Sequence, residues 1–171
     1  MIAKAHTSIL FVCLGNICRS PLAEGVFRAV VAARGAENAY LIDSAGTGGW
    51  HHGSAPDPRS IAIAASHGID ISAQQARKIV PEDFHRFDLI LGMDRSNVED
   101  LEALAPADAK ARVLLFLDFA EGASGEVPDP YYGGVDGFSA VYRMVRQASE
   151  RLADRLERGS APVSGHTSST T

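Results

Sequence analysis

The sequence has little cysteine, no long hydrophobic run and no excess of positive charge. Its two cysteines, Cys13 and Cys18, lie in one short stretch, so a disulfide framework is excluded and a reducing cytoplasm fits best. No segment approaches the roughly 18 consecutive apolar residues of a membrane span, and no basic region followed by an apolar core opens the chain. We therefore expect a cytoplasmic protein that is neither secreted nor inserted in a membrane.

Charge and length further restrict the class of protein to which this sequence can belong. The 16 Lys and Arg residues are outnumbered by 21 Asp and Glu, and the net charge of -5 argues against nucleic acid as a partner. A chain of 171 residues suits one domain with a substantial core. Residues 159–171 are rich in Ser, Thr, Gly and Pro without apolar periodicity. We expect one domain over residues 1–158, followed by a disordered tail.

Short apolar runs alternate with segments of helical periodicity along the chain. The runs predict strands over residues 7–12, 40–44, 88–93 and 112–117, and the periodic segments predict helices over 21–34, 57–67, 95–104 and 136–158. This alternation predicts an α/β fold with a parallel sheet and helices on both faces. Residues 118–135 are predicted to form a long loop rich in Gly and Pro, and a loop of this length is usually functional.

The first strand and the first helix meet at the stretch from Cys13 to Pro21, which reads CLGNICRSP. Ser20 is a suitable N-cap and Pro21 a suitable first helical residue, so the chain leaves a strand, turns through a loop and enters a helix. At such a junction free backbone N–H groups and the helix dipole point to the same place. The stretch therefore predicts an anion-binding loop at the edge of the sheet.

The residue types within this loop suit a phosphate. Five residues separate Cys13 from Arg19, enough to curl around one tetrahedral oxyanion, and Gly15 and Asn16 readily take the positive φ that such a curl needs. Arg19 offers a planar fork for two oxygens. The surrounding positive charge would stabilise a nucleophilic thiolate at Cys13. The alternative is a buried structural cysteine with a solvated arginine.

Two segments distant in sequence supply the other candidate site residues. Asp129 lies between two prolines in the long loop and is the candidate proton donor, with Tyr131 and Tyr132 as an aromatic wall; the alternative is a rigid surface turn. Trp50 follows a glycine-rich strand end and is predicted to line the cleft rather than the core. His51 and His52 are adjacent, which is poor spacing for metal ligands, and we expect exposed loop residues.

These residues together resemble the low-molecular-weight protein tyrosine phosphatase family. The resemblance covers roughly residues 7–158 and runs through the Cys13 loop, then SAGT from Ser44, Trp50, DPR from Asp57, HGI from His67, Ala76-Arg77, the segment 87–94 and DPYYG from Asp129. It implies a single-domain, four-stranded parallel sheet in the order 2-1-3-4. It also implies hydrolysis of phosphotyrosine or aryl phosphate monoesters through a phosphocysteine, without a metal or cofactor.

The resemblance also implies the roles of individual residues. Cys13 is the nucleophile, Arg19 binds the phosphoryl oxygens and Asp129 is the general acid. Asn16, Ser20 and Ser44 support the loop, and Cys18 is a candidate redox partner of Cys13. The implied substrate-binding residues are Leu14, Gly15, Asn16, Ile17, Cys18, Ser20, Trp50, Tyr131 and Tyr132.

Three alternative functions remain open at this point, and at one position the sequence departs from the pattern of the family. Related arsenate reductases use extra cysteines that this chain lacks, and related arginine phosphatases carry Thr where Ile17 stands. A redox-regulated phosphate-binding module is the third alternative, but it leaves Asp129 without a role. The family often has a His that bonds the loop Asn; Gln74 stands near that place and could replace the bond without titrating. The expected partners are phosphotyrosine proteins or small aryl phosphates, and we expect a monomer.

Overall fold

The computed structural model describes residues 6–122, 125–131 and 133–159. Within them four strands form one parallel sheet: β1 (Thr7–Cys13), β2 (Tyr40–Gly46), β3 (Leu89–Gly92) and β4 (Arg112–Leu115). The strand order is β2-β1-β3-β4. This confirms the predicted single α/β domain and the order 2-1-3-4.

The first strand is central and buried on both faces, as its uninterrupted apolar run predicts. Ile9 and Phe11 point into the larger core, whereas Leu10 and Val12 point into a smaller core on the opposite face. This division follows from the alternation of side chains along a strand. Because both faces are packed, the carboxyl end of β1 is held rigidly where the Cys13 loop begins.

In the described part of the chain, six α-helices cover the two faces: α1 (Arg19–Ala33), α2 (Pro58–Ala65), α3 (Asp83–Arg86), α4 (Arg95–Leu104), α5 (Phe116–Glu121) and α6 (Val135–Gly159). A short 3-10 helix, Glu37–Ala39, precedes β2. The larger core lies between the sheet and helices α1, α5 and α6. Phe84 of α3 and Leu101 of α4 close the smaller core. Helices therefore lie on both faces of the sheet, as predicted.

Local sequence sets several helix ends. Asp57 caps α2 through the Arg59 amide with Pro58 in the first turn, and Asp94 forms a capping box with Asn97 at the start of α4. Gly68, with a φ of 79°, follows the end of α2. These boundaries agree with the sequence prediction, apart from the last turn predicted for α2.

The predicted fourth strand is too long at its carboxyl end. It ends at Leu115, and the chain turns at once into α5, where a loop was predicted from residue 118. Phe116, Leu117, Phe119 and Ala120 are all buried, which is a helical spacing that the continuous apolar run before it obscures. Gly122, with a φ of 74°, ends the helix.

The end of the predicted domain falls within the last helix. α6 continues through Gly159, one residue beyond the predicted boundary, so the predicted tail does not begin there. Residues 160–171, which make up the rest of that tail, lie outside the described residues, and the disorder expected of them stays a prediction. Within the described ranges, no helix has the length and apolar character needed to cross a bilayer.

Candidate active site

The predicted anion-binding loop lies between the end of β1 and the start of α1, at the carboxyl edge of the sheet. Cys18 occupies the N-cap position without a side-chain cap, and α1 begins at Arg19. The predicted N-cap role of Ser20 is therefore wrong, because Ser20 lies inside the helix and its hydroxyl bonds elsewhere. An N-terminus without a side-chain cap leaves its first N–H groups for an anion.

The loop curls as the sequence predicts, with Asn16 supplying the positive φ of 57°. Gly15 is not among the residues with positive φ. Four loop carbonyls accept hydrogen bonds from outside the loop, those of Cys13, Leu14, Ile17 and Cys18. In a trans peptide the C=O and the N–H point in opposite directions. The N–H groups of these four peptide units therefore point away from the supporting residues, and we expect them to face the space that the loop encloses.

Asn16 holds the curl from behind through all of its side-chain polar groups. Its Nδ2 donates to Ser20 Oγ at 2.8 Å and to Ser44 Oγ at 3.1 Å, and its Oδ1 accepts from the Arg77 amide at 3.0 Å. The side chains of Asn16 and Ser20 are buried behind the loop and do not line the cleft. The structure thus places both where they support the loop rather than where they contact substrate.

The direction of these hydrogen bonds orients the Ser20 hydroxyl. Because Ser20 Oγ accepts from Asn16, its own proton has two acceptors within reach, Cys13 Sγ at 3.1 Å and the Ala45 carbonyl at 3.4 Å. Ser44 likewise accepts from Asn16 and donates to Glu24 Oε1 at 2.7 Å. Burial raises the pKa of Glu24, while the Ser44 hydrogen bond and the Arg28 ion pair oppose that shift.

Arg19 is 3% exposed and lies between two carboxylates. Its Nη1 donates to Asp94 Oδ2 at 2.6 Å and to the Val127 carbonyl at 3.0 Å, and its Nη2 lies 3.7 Å from Asp129 Oδ2. Burial alone would lower the pKa of Arg19, but Cys13, Asp94 and Asp129 together raise it above the ordinary value. The guanidinium therefore stays charged and fixed at the mouth of the loop.

In the sequence Asp94 is noted as the end of the segment 87–94 that resembles the family, and its contact with Arg19 was missed. One carboxylate oxygen caps α4 through the Asn97 amide and the other accepts from Arg19. The sequence held one indication of this contact, because Asp94 lies two residues after the end of β3. The carboxyl ends of parallel strands lie at one edge of a sheet, so Asp94 and Cys13 had to be close.

Asp129 lines the same cleft as Arg19, and its side chain is 42% exposed. Its Oδ1 accepts from the Tyr131 amide at 3.0 Å, which closes a tight turn at Pro130. Val127, two residues earlier, is fully buried and its amide bonds the Met93 carbonyl at the end of β3. This part of the long loop is therefore anchored to the sheet edge.

Arg59 ties the same segment to α2. Its guanidinium donates to the carbonyls of Tyr131 at 3.0 Å and Gly133 at 3.2 Å, and lies 4.5 Å from the centre of the Phe138 ring. Asp57 accepts two side-chain hydrogen bonds from it, and these hydrogen bonds hold the pKa of Asp57 below its usual range. The DPR motif that contains both residues is part of the family resemblance, but no role was predicted for it from the sequence.

A cleft of about 320 Å³ opens above the loop. Trp50 is 73% exposed and forms one wall, so the alternative of a core tryptophan is wrong. His51 also lines the cleft, which the prediction of a merely exposed loop residue missed. Tyr132 lies outside the described residues. The cleft is lined by Cys13, Leu14, Gly15, Ile17, Cys18, Arg19, Trp50, His51, Asp129 and Tyr131.

Gln74 does not take the position expected of it. Its Nε2 donates to the Pro21 carbonyl at 3.0 Å, and the Asn16 oxygen is instead satisfied by the Arg77 amide. The expectation that Gln74 bonds the loop asparagine is therefore wrong. The support of the loop depends on a main-chain donor, which does not titrate.

Both cysteines are buried and carry free thiols. Burial is the largest cause that raises the pKa of Cys18 to about 12, and the negative charges of Asp57, Cys13 and Asp129 add to it. Cys18 is therefore a neutral thiol at physiological pH. The Cys13 sulfur lies 3.1 Å from the Ser20 hydroxyl oxygen and beside charged Arg19.

The chain is similar to known phosphatases over most of its length. The family model described as low molecular weight phosphotyrosine protein phosphatase matches residues 8–161. A protein of that description from Schizosaccharomyces pombe is 48% identical over 139 residues, 80% of this chain and 88% of the relative. Among solved structures, an Entamoeba histolytica protein tyrosine phosphatase is 40% identical with a TM-score of 0.84, covering 90% and 98% of the two chains. A Drosophila arginine phosphatase is 32% identical with a TM-score of 0.81, covering 87% and 97%.

Proposed function

Because the chain belongs to the low molecular weight phosphotyrosine protein phosphatases, we propose that the Cys13 loop hydrolyses phosphotyrosine monoesters through a phosphocysteine. The chain is a protein tyrosine phosphatase, and the substrates of such an enzyme are phosphoproteins or aryl phosphates. The observation that carries the mechanism is the cleft itself, where Cys13, Arg19 and Asp129 line the same 320 Å³ space. Hydrolysis of phenyl phosphate by the purified chain, in the presence of a metal chelator, tests the proposal.

In the first step the Cys13 thiolate attacks phosphorus and the ester P–O bond breaks. Protonated Asp129 gives its proton to the departing oxygen, so a neutral phenol leaves. Arg19 and the inward N–H groups of the loop hold the equatorial oxygens as their charge redistributes. The fixed position of Arg19 against Asp94 matters because phosphoryl transfer depends chiefly on positioning and charge.

In the second step water attacks the phosphocysteine on the same phosphorus. Asp129, now ionised, accepts a proton from that water as the P–O bond forms and the S–P bond breaks. The sulfur leaves as a thiolate, and the Ser20 proton stabilises it at 3.1 Å. Inorganic phosphate departs and Asp129 again holds the proton for the next cycle.

Asp129→Ala is expected to lower kcat by about 100- to 10,000-fold for a poor leaving group such as phenol. Activated esters leave without a proton, so the loss with p-nitrophenyl phosphate should be much smaller. The measurement is kcat across a series of aryl phosphates with leaving groups of graded basicity. Asp136→Ala, an acid outside the cleft on α6, is the matched control. Equal losses across the series would remove Asp129 from the acid role.

We propose that Cys18 protects Cys13 from irreversible oxidation. Peroxide would convert the Cys13 thiolate to a sulfenic acid; Cys18 would then form an S–S bond as the S–O bond breaks and water leaves. Support comes from the position of both sulfurs in one loop and in one cleft. The raised pKa of Cys18 implies that this closure is slow at neutral pH and accelerates as the pH rises toward 12.

Peroxide inactivation followed by dithiothreitol is expected to return full activity in the wild type and only partial activity in Cys18→Ser. Mass spectrometry should detect a Cys13–Cys18 link in the oxidised wild type, formed faster at pH 9 than at pH 7. Equal recovery of the two proteins, with no link, would leave Cys18 a structural residue.

The proposed preference of the enzyme for phosphotyrosine over phosphoarginine depends on the residues that line the cleft. Ile17 and Trp50 place apolar surface beside the loop, which suits an aryl ring. The Drosophila arginine phosphatase shows that the fold also serves a second substrate class, so phosphoarginine is the second candidate. Matched peptides carrying phosphotyrosine, phosphoserine or phosphoarginine distinguish these, and we expect the highest kcat/KM for phosphotyrosine.

We also propose that the protein is a cytoplasmic monomer, since an oxidisable thiol at the site needs a reducing compartment.

A further inference from the structure

Large exposed apolar side chains are concentrated on one side of the described molecule. Five are more than a third exposed, and four of these, Leu14, Trp50, Leu104 and Tyr131, line the active-site cleft or the groove next to it. Only Val80 lies elsewhere. Such a concentration on a soluble protein marks an interaction surface more often than chance exposure does.

The groove is separate from the cleft but shares two walls with it. It has a volume of about 320 Å³, and Leu14 and Trp50 line both spaces. The Trp50 ring packs directly on Gly48, where an added Cβ would lie 1.9 Å from a ring carbon. The remaining lining residues are Thr47, Gly48, Asp100, Ala103 and Leu104, the last three from α4.

The position of α4 relative to the catalytic loop is fixed. Asp94 caps α4 and is hydrogen-bonded at 2.6 Å to Arg19, so the groove and the phosphate-binding loop form one rigid arrangement. Leu14 and Trp50 line both spaces and form the rim between them. A polypeptide whose phosphotyrosine enters the cleft and whose chain continues across that rim meets the groove.

We propose that this groove binds an apolar side chain of the polypeptide substrate, close in sequence to the phosphotyrosine. The proposal rests on phosphotyrosine hydrolysis as proposed above and adds the recognition of the flanking sequence. Because Leu14 and Trp50 line both spaces, an extended chain that advances about 3.3 Å per residue crosses this shared wall within a few residues of the phosphotyrosine. Asp100 at the groove disfavours an acidic residue there.

The first test needs no altered enzyme. Phosphotyrosine peptides are made with leucine, serine or glutamate at one flanking position at a time, and kcat/KM is measured for each with the wild-type chain. At the position that reaches the groove, leucine is expected to exceed serine by about five- to tenfold, as burial of an aliphatic side chain predicts. Glutamate is expected to be the poorest.

The second test compares Leu104→Ala with Val80→Ala, which removes an exposed apolar side chain outside both spaces. The quantity is the ratio of kcat/KM for the leucine peptide to that for phenyl phosphate, which occupies only the cleft. Leu104→Ala should lower this ratio about five- to tenfold, and Val80→Ala should leave it unchanged. Thermal unfolding of both variants checks the fold.

Two results would contradict the proposal that the groove binds a flanking apolar side chain. One is a peptide series in which no flanking leucine exceeds serine; the other is a ratio that Leu104→Ala leaves at the wild-type value. If the proposed function is itself wrong, the result is different. The chain then hydrolyses phenyl phosphate but no phosphotyrosine peptide, or it hydrolyses neither substrate.

Discussion

Cys13→Ser is expected to lower turnover of phenyl phosphate by at least about a thousandfold while affinity for phosphate and vanadate persists. A hydroxyl is a far poorer nucleophile than a thiolate, because it stays protonated at neutral pH. Ser20 accepts from Asn16, so its hydroxyl can act only as a donor toward position 13 or the Ala45 carbonyl. The inward N–H groups and Arg19 remain, so the oxyanion is still bound.

The measurements are kcat for phenyl phosphate and the dissociation constant of inorganic phosphate by calorimetry. Cys18→Ser, a serine substitution in the same loop, is the matched control and should retain most of the turnover in reducing buffer. Appreciable hydrolysis by pure Cys13→Ser protein would contradict a covalent mechanism. Loss of phosphate binding would indicate instead that the substitution had disturbed the loop.

Arg19→Lys is expected to lower kcat/KM by about a hundred- to a thousandfold although the charge is kept. Arg19 uses Nη1 to reach both Asp94 and the Val127 carbonyl, which leaves the rest of its planar fork for phosphoryl oxygens. A lysine carries one ammonium, which cannot satisfy Asp94 and two phosphoryl oxygens in one plane.

Arg146→Lys on α6 is the control for the same chemical change away from the cleft, and it should change kcat/KM less than twofold, as expected of an exposed i,i+4 pair. Thermal unfolding of both variants separates an effect on catalysis from an effect on the fold. If Arg19→Lys kept activity within about tenfold of the wild type, the bidentate role would be wrong.

The sequence predicted the catalytic loop well because the determinants of that loop are local. A buried strand, a Gly-Asn pair, Cys13, Arg19 and a helix start all lie within a few residues of one another. The strand order needed the family resemblance, because alternation of elements gives only the class of fold. Asn16 took the positive φ that its residue type favours.

The contacts that the sequence missed join residues far apart in the chain. Asp94 reaches Arg19 across 75 positions and Arg59 reaches Tyr131 across 72. Nothing in the local pattern of either residue specifies such a partner. Ser20 was misread for a related reason: its residue type suits a helix cap, but tertiary contacts with Asn16 and Cys13 use its hydroxyl instead.

The α5 helix shows a different limit. Its residues continue the apolar run of β4, and a short buried run fits a strand or a helix equally well. The helix forms because it buries four side chains against the larger core, those of Phe116, Leu117, Phe119 and Ala120. This packing depends on the whole fold and cannot be predicted from the local sequence. Gly122 was the one local sign of a helix end.

The most direct test of the account is to trap the covalent intermediate. The wild-type chain is mixed rapidly with phenyl phosphate labelled at phosphorus, quenched within a turnover, digested and analysed for the labelled peptide. We expect one phosphorylated site, a phosphocysteine at Cys13. The label should disappear in Cys13→Ser. In Asp129→Ala it should accumulate to a different level, because Asp129 acts in both steps. Full turnover without label at Cys13, or label on any other residue, would contradict it.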